Sequence, residues 1–416
     1  MKERSTLDKK FQVIKFFDDC RWNKENNNYG TINYAHDNLT EDQKLLTHWL
    51  CYITDRQMSF EMIWDVGGFV FSDMVKAYQD NGAKVLEING ENSFFVNNKE
   101  KGDNDYCFRS NKTAGQNNIL KNYGYRADTQ VTFVSRFYSS DYMAMLYTLK
   151  TLESYDRSFA KYIGEIIKKV IEATQDYTAE DLIRGIVYGF YLLSYDQIGQ
   201  PKKEELQNIS RDITRNDLPK DSKTFVKDAN HFFDVNKRYE NKRVWCCIRD
   251  YIKSMEFGEC FRKALNEKGV DNCIIDKIFS DEAKKCLELP GDVWNNNSKF
   301  RNCMISDSEM NELEKLSNKE KNEKRLNKLL RTLYEKKETS VYPEQFDVTF
   351  SFVPRMCAQN RCDVCPLGAL KSENANKITK LCVNNTSKYC TIAMMCCGYK
   401  CNCQGDDCEL RKLLFK

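Results

Sequence analysis

Apolar residues recur at helical spacing through most of the first half of the chain. After Thr40, whose hydroxyl and following acids are typical of a helix N-terminus, one face collects Leu45, Leu46, Trp49, Leu50 and Ile53. The same spacing predicts helices over 140–152, 158–173 and 179–193. The first of the six prolines is Pro201, so no proline interrupts a helix before it. The pattern predicts a mainly α-helical fold.

The pattern changes near residue 81, where Asn and Gly become frequent. Residues 84–88 and 93–96 flank Asn89-Gly90, and this arrangement favours a short β-hairpin. We expect it to be an insertion between helical parts, close to the functional pocket and involved in recognition. We therefore predict four parts: helical residues 1–80, the insertion at 81–135, helical residues 136–340 and a cysteine-rich tail at 341–416.

Three later stretches complete the helical pattern. Residues 261–286 predict two short helices around Lys268-Gly269-Val270. Residues 236–253 predict a helix with a basic start, a solvated side and an apolar face made of Val244, Trp245, Ile248, Tyr251 and Ile252. A phosphate-facing helix is the other interpretation of that basic start. Residues 307–339 predict one or two solvent-faced amphipathic helices without site chemistry.

Composition narrows the class of protein but not its partner. The 416 residues are 41% hydrophobic, which is enough to bury a core. The 64 basic and 61 acidic side chains give a net charge of +3, which neither supports nor excludes nucleic acid. No apolar run is long enough to span a membrane, and the first residues lack the apolar core of an export signal. We expect a globular cytoplasmic protein without a membrane partner.

The tail holds ten of the 19 cysteines, between Cys357 and Cys408. Cys357, Cys362 and Cys365 form a C-x4-C-x2-C-P run that brings three thiolates together. Three cysteines and a proline suit a 4Fe–4S iron–sulfur cluster, whereas four cysteines in pairs suit zinc. Cys382 is the nearest fourth ligand, and a second, zinc site is predicted from a subset of Cys390, Cys396, Cys397, Cys401, Cys403 and Cys408. Disulfides and buried free thiols are the alternatives, but the other nine cysteines show no paired pattern that would favour disulfides.

Two polar motifs stand out against the helical background. Asp55-Arg56-Gln57 is a polar knot between apolar helices, close to Trp64 and Asp65. An ion pair between Asp55 and Arg56, with Trp64 as a core residue, is an equally good interpretation of the same stretch. Asp292 follows Leu289-Pro290-Gly291, at a position where a helix is expected to begin. Its carboxylate would lie near the positive end of the helix dipole, so the simplest interpretation of Asp292 is an N-cap.

Together these features resemble the helix-hairpin-helix DNA glycosylases of the endonuclease III type. The shared order of parts is a helix–knot–helix near the start, a glycine-containing hairpin turn, a lone Asp at a helix start and a C-terminal cysteine cluster. The knot, the stretch Ile63 to Ser72 and the tail look most similar to the clade of α-glutamyl/putrescinyl-thymine pyrophosphorylases. The cysteine spacing of the tail differs from the family's C-x6-C-x2-C-x5-C pattern, because the first gap is four residues and the fourth cysteine lies far downstream. Leu289-Pro290-Gly291 is alternatively a remnant of the family's hairpin, which would remove Asp292 from catalysis.

The resemblance implies a helix-hairpin-helix glycosylase fold and removal of a modified pyrimidine from phage DNA, as in an anti-phage glycosylase of the clade that acts on glucosylated hydroxymethylcytosine. Cleaving an N-glycosidic bond develops positive charge on the sugar, so it needs a nearby carboxylate, for which we select Asp292. Base flipping needs polar and aromatic side chains, which the knot, Trp64 and Asp65 supply. Lys268, Gly269 and Trp294 complete the expected DNA-contacting set.

The expected partner is double-stranded DNA with modified bases, and no obligate protein partner is evident. Two other classes remain open: a metal-containing DNA-binding protein without catalysis, and a structural or interaction protein. The first predicts that Asp292→Asn leaves DNA affinity unaffected. The second predicts neither this DNA affinity nor a lone essential Asp with lesion-specific DNA cleavage.

Overall fold

The computed structural model describes eight stretches and a few single positions of the chain. The stretches are 34–54, 67–82, 95–97, 106–108, 139–194, 218–235, 241–290 and 326–347. The chain divides into two compact units. One comprises Met1–Tyr29, Arg238–Lys242 and Lys285–Lys416, and the other comprises Gly30–Lys237 and Arg243–Lys284. We call them the terminal unit and the central unit.

The described residues are mainly helical, as predicted. The helices, numbered in chain order, are α1 Glu41–Ile53, α2 Gly68–Asn81, α3 Ser139–Leu152, α4 Phe159–Ala173, α5 Ala179–Leu193, α6 Ser222–Asp234, α7 Lys242–Lys253, α8 Met255–Glu267, α9 Asn272–Ile278, α10 Asp281–Lys285 and α11 Leu326–Glu335. Short 3-10 helices cover Glu153–Tyr155 and Pro343–Phe346. Two three-residue strands, β1 Phe95–Asn97 and β2 Tyr106–Phe108, pair antiparallel with Val96 opposite Cys107.

Side-chain caps fix the predicted helix starts. The Thr40 hydroxyl accepts from Gln43 N at 3.2 Å, and Gln43 Oε1 accepts from Thr40 N at 2.9 Å, which closes a capping box on α1. Ser158 caps α4 by accepting from Lys161 N at 3.0 Å. Thr178 and Asp181 form a second capping box on α5. These caps satisfy amide groups that have no partner within the helix.

Aromatic side chains fill the core of the central unit, where α1, α4, α5 and α8 pack together. Trp49 is fully buried and lies 5.1 Å from Phe190, centroid to centroid, while Phe159 lies 5.3 Å from Phe190. The indole Nε1 of Trp49 donates to Thr148 Oγ1 at 3.3 Å. Edge-on ring packing with a satisfied indole N–H suits a buried tryptophan. The apolar face predicted for α1 is therefore confirmed as core.

The approach of α4 to α5 depends on glycine. A Cβ built on Gly189 would lie 2.1 Å from Ile166 Cδ1, and one built on Gly185 would lie 2.5 Å from Val170 Cγ2. Both separations are far below van der Waals contact. The two glycines, four residues apart on one face of α5, let the helices pack closely.

Two predictions about solvated helices are wrong. In α7 every residue from Val244 to Ile252 is buried, including Arg249 and Asp250, so this part of the helix has no solvated side. In α11 five consecutive residues from Leu329 to Leu333 are buried. The charged positions that neighbouring chain covers are Arg249 and Asp250 of α7 and Arg331 of α11, whereas Glu335 at the end of α11 is exposed. The residues 236–240 and most of 307–325 lie outside the described part of the chain.

The insertion contains two paired strands, but the strand near residue 95 pairs with a different segment from the one predicted. Phe95–Asn97 overlaps the predicted second strand, but its observed partner is Tyr106–Phe108. Val85, from the predicted first strand, lies in a 3-10 turn. The predicted turn at Asn89-Gly90 lies outside the described residues.

None of the helices that the structure describes combines the length and the apolar character needed to cross a bilayer.

Candidate functional site

The glycine-containing hairpin between α8 and α9 is the predicted DNA-facing element that the structure describes. Val270 N donates to Leu265 O at 3.1 Å and Gly269 N donates to Asn266 O at 2.9 Å, which ends α8 in a tight reversal. Gly269 has φ +81°, a left-handed conformation that favours glycine. A Cβ on Gly269 would meet no atom within 4 Å, so the turn projects into open space. Lys268 and Gly269 are both exposed at its tip.

The carboxylate of Asp271 lies close to the same tip. Asp271 caps α9, and its Oδ1 accepts from Cys273 N at 3.0 Å. This backbone hydrogen bond lowers the pKa of Asp271, so the group is ionised at neutral pH. The hairpin thus presents one cation, Lys268, beside two carboxylates, those of Glu267 and Asp271. A phosphate approaching the turn would be attracted by Lys268 but repelled by Glu267 and Asp271. The amides of Lys268, Gly269 and Val270 already donate to carbonyls of α8.

The chain that leads toward Asp292 is held in the terminal unit. Leu287, Glu288 and Leu289 are at most 2% exposed. Arg331 of α11 donates from Nε to Glu288 Oε1 at 2.8 Å, from Nη1 to Lys285 O at 3.0 Å and from Nη2 to Leu287 O at 2.9 Å. One guanidinium therefore fixes the stretch that ends at Pro290, two residues before Asp292.

A buried polar cluster between α1 and α7 is a feature that the sequence reasoning missed. Asp250 accepts from Tyr52 OH, and its Oδ1 accepts from Arg249 Nε at 3.0 Å. His48 Nε2 is 3.8 Å from Asp250 Oδ2, and His48 Nδ1 is 3.8 Å from Cys247 Sγ. The ring of His48 stacks on Phe257 with 4.0 Å between centroids. Two signals were present in the sequence: a histidine inside the apolar run of α1 and adjacent charges inside that of α7.

The cluster has the residue types of a nucleophilic Cys-His-Asp triad but not its electrostatics. Burial raises the pKa of the Cys247 thiol and lowers the pKa of His48. Both groups are therefore neutral at pH 7, whereas a reactive cysteine needs a thiolate. His48 and Cys247 are also 0% exposed. The cluster holds α1 against α7 and does not form a catalytic site.

A cleft of about 480 Å³ lies in the central unit between residues 32–37, α1 and α8. Its charged lining contains Asp37, Glu41, Glu256 and Glu259 against Lys44 and Lys263. Lys44 pairs with Glu41 at 3.2 Å, and Lys263 pairs with Glu259 at 2.8 Å. Carboxylates outnumber lysines, so the lining disfavours a phosphate. Burial also raises the pKa of Cys260, which keeps this thiol protonated.

The other predicted site residues lie outside the described part of the chain. These are Asp55, Arg56, Gln57, Trp64, Asp65, Asp292, Trp294 and the ten tail cysteines. The described neighbour of the knot is the C-terminus of α1, where Arg243 Nη1 donates to Ile53 O at 2.5 Å. Among the residues that the structure describes, no group of three His, Cys, Asp or Glu side chains is arranged to hold a metal ion. The predicted metal ligands are not among those residues.

No family model, no curated protein and no solved structure matches this chain.

Proposed function

We propose that the chain is a DNA glycosylase that flips a modified, phage-type pyrimidine out of the duplex and cleaves its N-glycosidic bond. The observation that carries the proposal is the hairpin between α8 and α9, with Gly269 in a left-handed conformation at an exposed tip. Asp292 follows this hairpin along the chain. A glycine-containing hairpin followed by an Asp where a helix is expected to begin is the order of parts that motivates the resemblance to helix-hairpin-helix glycosylases.

In this proposal Asp292 supplies the negative charge that the reaction needs. As the bond to the base breaks, C1′ of the sugar gains positive charge, and a carboxylate in a water-excluded site stabilises it or activates the attacking water. The polar knot Asp55-Arg56-Gln57, with Trp64, Asp65 and Trp294, provides the stacking and hydrogen-bonding groups that receive a flipped base. Lys268, exposed at the tip beside Gly269, contacts the DNA backbone.

The cysteine-rich tail would hold the metal centre. Cys357, Cys362 and Cys365, with Cys382 as fourth ligand, suit a 4Fe–4S cluster. A second, zinc site would draw on Cys390, Cys397, Cys401, Cys403 and Cys408. Bound metal would organise a segment rich in thiolates, because binding of the metal supplies folding free energy.

The test is direct detection of released bases. The protein is incubated with phage DNA whose cytosine or thymine is either modified or unmodified, and mass spectrometry identifies any free base. The proposal predicts release from modified DNA only. DNA binding without any base release would instead support the metal-containing DNA-binding protein, and neither binding nor release would support an interaction protein.

A further inference from the structure

The cleft between residues 32–37, α1 and α8 carries a net negative charge. Its volume of about 480 Å³ lies within the range of sites that take small molecules. Four carboxylates and two lysines line it, so two negative charges remain after each lysine is counted against one carboxylate. His36 also lines the cleft, but it is paired with Asp73 of α2 and adds no net positive charge.

The hydroxyl of Tyr34 lies in this negative field. Tyr34 lines the cleft and is partly buried. Burial raises the pKa of Tyr34, and the neighbouring groups that add to the shift all raise it further; they are Cys260, Glu256, Cys51 and Glu41. No cation is among these groups. The surroundings of the hydroxyl therefore disfavour a further negative charge and favour a positive one.

Two side chains of the cleft can accept hydrogen bonds from a ligand. His36 Nε2 is 2.8 Å from Asp73 Oδ1. Because an ionised carboxylate only accepts, Nε2 carries the proton, and Nδ1 of the neutral ring is left as an acceptor. Within the described stretches, no group donates to His36 Nδ1 or to the Tyr34 hydroxyl. Both atoms can therefore accept from an N–H group that enters the cleft.

Charge, acceptors and apolar surface together select the class of ligand. An alkylammonium group has three N–H donors and no acceptor, so it matches carboxylates and free acceptor atoms, whereas a phosphate does not. A metal ion needs ligands that converge on one point, and no three His, Cys, Asp or Glu side chains of the described residues do so. Ile32 and Phe257, which are 2% and 3% exposed, give the cleft an apolar wall for methylene groups.

We propose that this cleft binds a small organic dication with an aliphatic body. Its two positive charges offset the two negative charges that the lysines leave in the lining. Its N–H groups donate to the cleft carboxylates, to the Tyr34 hydroxyl and to His36 Nδ1. Its methylene groups contact Ile32 and Phe257. The inference does not rest on the proposed glycosylase function, because every residue that carries it lies in the central unit and none belongs to the proposed catalytic set.

Isothermal titration calorimetry of the full-length protein tests the ligand class. The probe is 1,5-diaminopentane. Two compounds with the same five-carbon chain are the comparisons: 5-amino-1-pentanol, which has one positive charge, and glutarate, which has two negative charges. The diamine should bind with a measurable heat. The amino alcohol should bind about tenfold more weakly, because it lacks one set of charge-assisted hydrogen bonds. Glutarate should not bind.

Two cleft variants and one control locate the site. Glu256→Gln removes a negative charge from the first turn of α8 and keeps the side-chain shape, so the diamine should bind about tenfold more weakly. Tyr34→Phe removes an acceptor and should weaken binding about threefold to tenfold. Glu180→Gln makes the matched change in an exposed carboxylate of α5 that pairs with Arg184 outside the cleft lining. It should leave binding unchanged.

Urea unfolding establishes that each variant is folded. Glu256 is exposed, so Glu256→Gln decides the question if Tyr34→Phe does not fold. The inference is overturned if the diamine does not bind, if the amino alcohol or glutarate binds as tightly as the diamine, or if a folded cleft variant binds the diamine as tightly as the unmodified protein. Equal weakening by Glu180→Gln would show that the diamine acts as a general counter-ion, and that result would overturn it too.

Discussion

At the scale of single residues, the central unit relies on polar groups placed among apolar ones. Asp42 of α1 is 9% exposed, and its Oδ1 accepts from Ala160 N at 2.6 Å, in the first turn of α4. An acid on one helix thus satisfies an amide of another. Burial nevertheless raises the pKa of Asp42, and the hydrogen bond from Ala160 only partly offsets this.

This raised pKa predicts a pH-dependent effect of Asp42→Asn. The folded protein holds the Asp42 proton more tightly than the unfolded chain, so Asp42 makes the free energy of unfolding fall as pH rises above the ordinary pKa of 3.8. Asparagine keeps the acceptor oxygen but does not titrate. Relative to the unmodified protein, Asp42→Asn should therefore gain stability between pH 4 and pH 7 in urea unfolding. A stability difference that stays constant or moves the other way would contradict this assignment.

The buried cluster gives a second prediction at this scale. Tyr52→Phe removes the hydroxyl that donates to Asp250 and leaves a buried carboxylate with one donor fewer. We expect a loss of about 1–3 kcal/mol in the free energy of unfolding. Tyr177→Phe is the control, because the Tyr177 ring is contacted by exposed Lys277 at 4.1 Å and should retain this contact. Equal midpoints for both variants in denaturant unfolding would show that the cluster contributes nothing.

At the scale of elements, the hairpin between α8 and α9 depends on one backbone conformation. Gly269→Ala introduces a Cβ at φ +81° and should cost about 1 kcal/mol of stability, although no atom obstructs it. Gly164→Ala is a matched control, because Gly164 lies within α4 and its Cβ would meet Val270 Cγ2 at an ordinary 3.7 Å. That change should be neutral or stabilising, since alanine favours a helix over glycine. Thermal unfolding distinguishes them, and equal losses would contradict this account of the turn.

Local sequence signals predicted the element starts well. Thr40 could be assigned as a cap, and a helix start at Ser158 could be predicted, because such starts depend on residues a few positions apart in the sequence. The exposed glycine turn at Gly269 followed from the same kind of local signal. The burial of Arg249, Asp250 and Arg331 could not be predicted. Each is enclosed by chain that is distant in sequence, such as Tyr52 for Asp250 and Glu288 for Arg331.

For the whole molecule, the cysteine-rich tail is proposed to supply thiolate ligands for metal beside a mainly helical scaffold. If Cys357, Cys362, Cys365 and Cys382 bind a 4Fe–4S cluster, protein purified without oxygen should contain iron and acid-labile sulfide, and zinc if the second site is also filled. Elemental analysis with a sulfide assay measures this. The control is Cys273→Ser, which removes an exposed thiol outside the tail and should leave the metal content unchanged. Absence of both iron and zinc would require disulfides in the tail.

The candidate site could be predicted only in part from the sequence. The hairpin, Asp292 and the cysteine tail could each be predicted because each is a short motif, and of the three the structure describes only the hairpin. The Arg331 contact with residues 285–288 was missed because α11 was interpreted as solvent-faced from its leucines and charges. The identity of a charged residue in the sequence does not show whether its side chain is buried or exposed. Its role becomes visible only when its partners, Glu288 and two carbonyls, are placed around it.

The central claim is that Asp292 is the catalytic carboxylate of a DNA glycosylase, and Asp292→Asn tests it most directly. Asparagine caps a helix about as well as aspartate, so the free energy of unfolding should hardly change. Release of modified base, measured by mass spectrometry, should fall by about 100-fold or more, because the charge that stabilises the sugar is lost. DNA affinity should persist. Asp65→Asn is the comparison variant: asparagine keeps an oxygen for hydrogen bonding at this base-contacting position, so it should reduce base release far less than Asp292→Asn.

Full base release by a folded Asp292→Asn protein would contradict the account. Loss of release in Asp65→Asn alone would move the catalytic carboxylate to the glycine-rich stretch after Trp64.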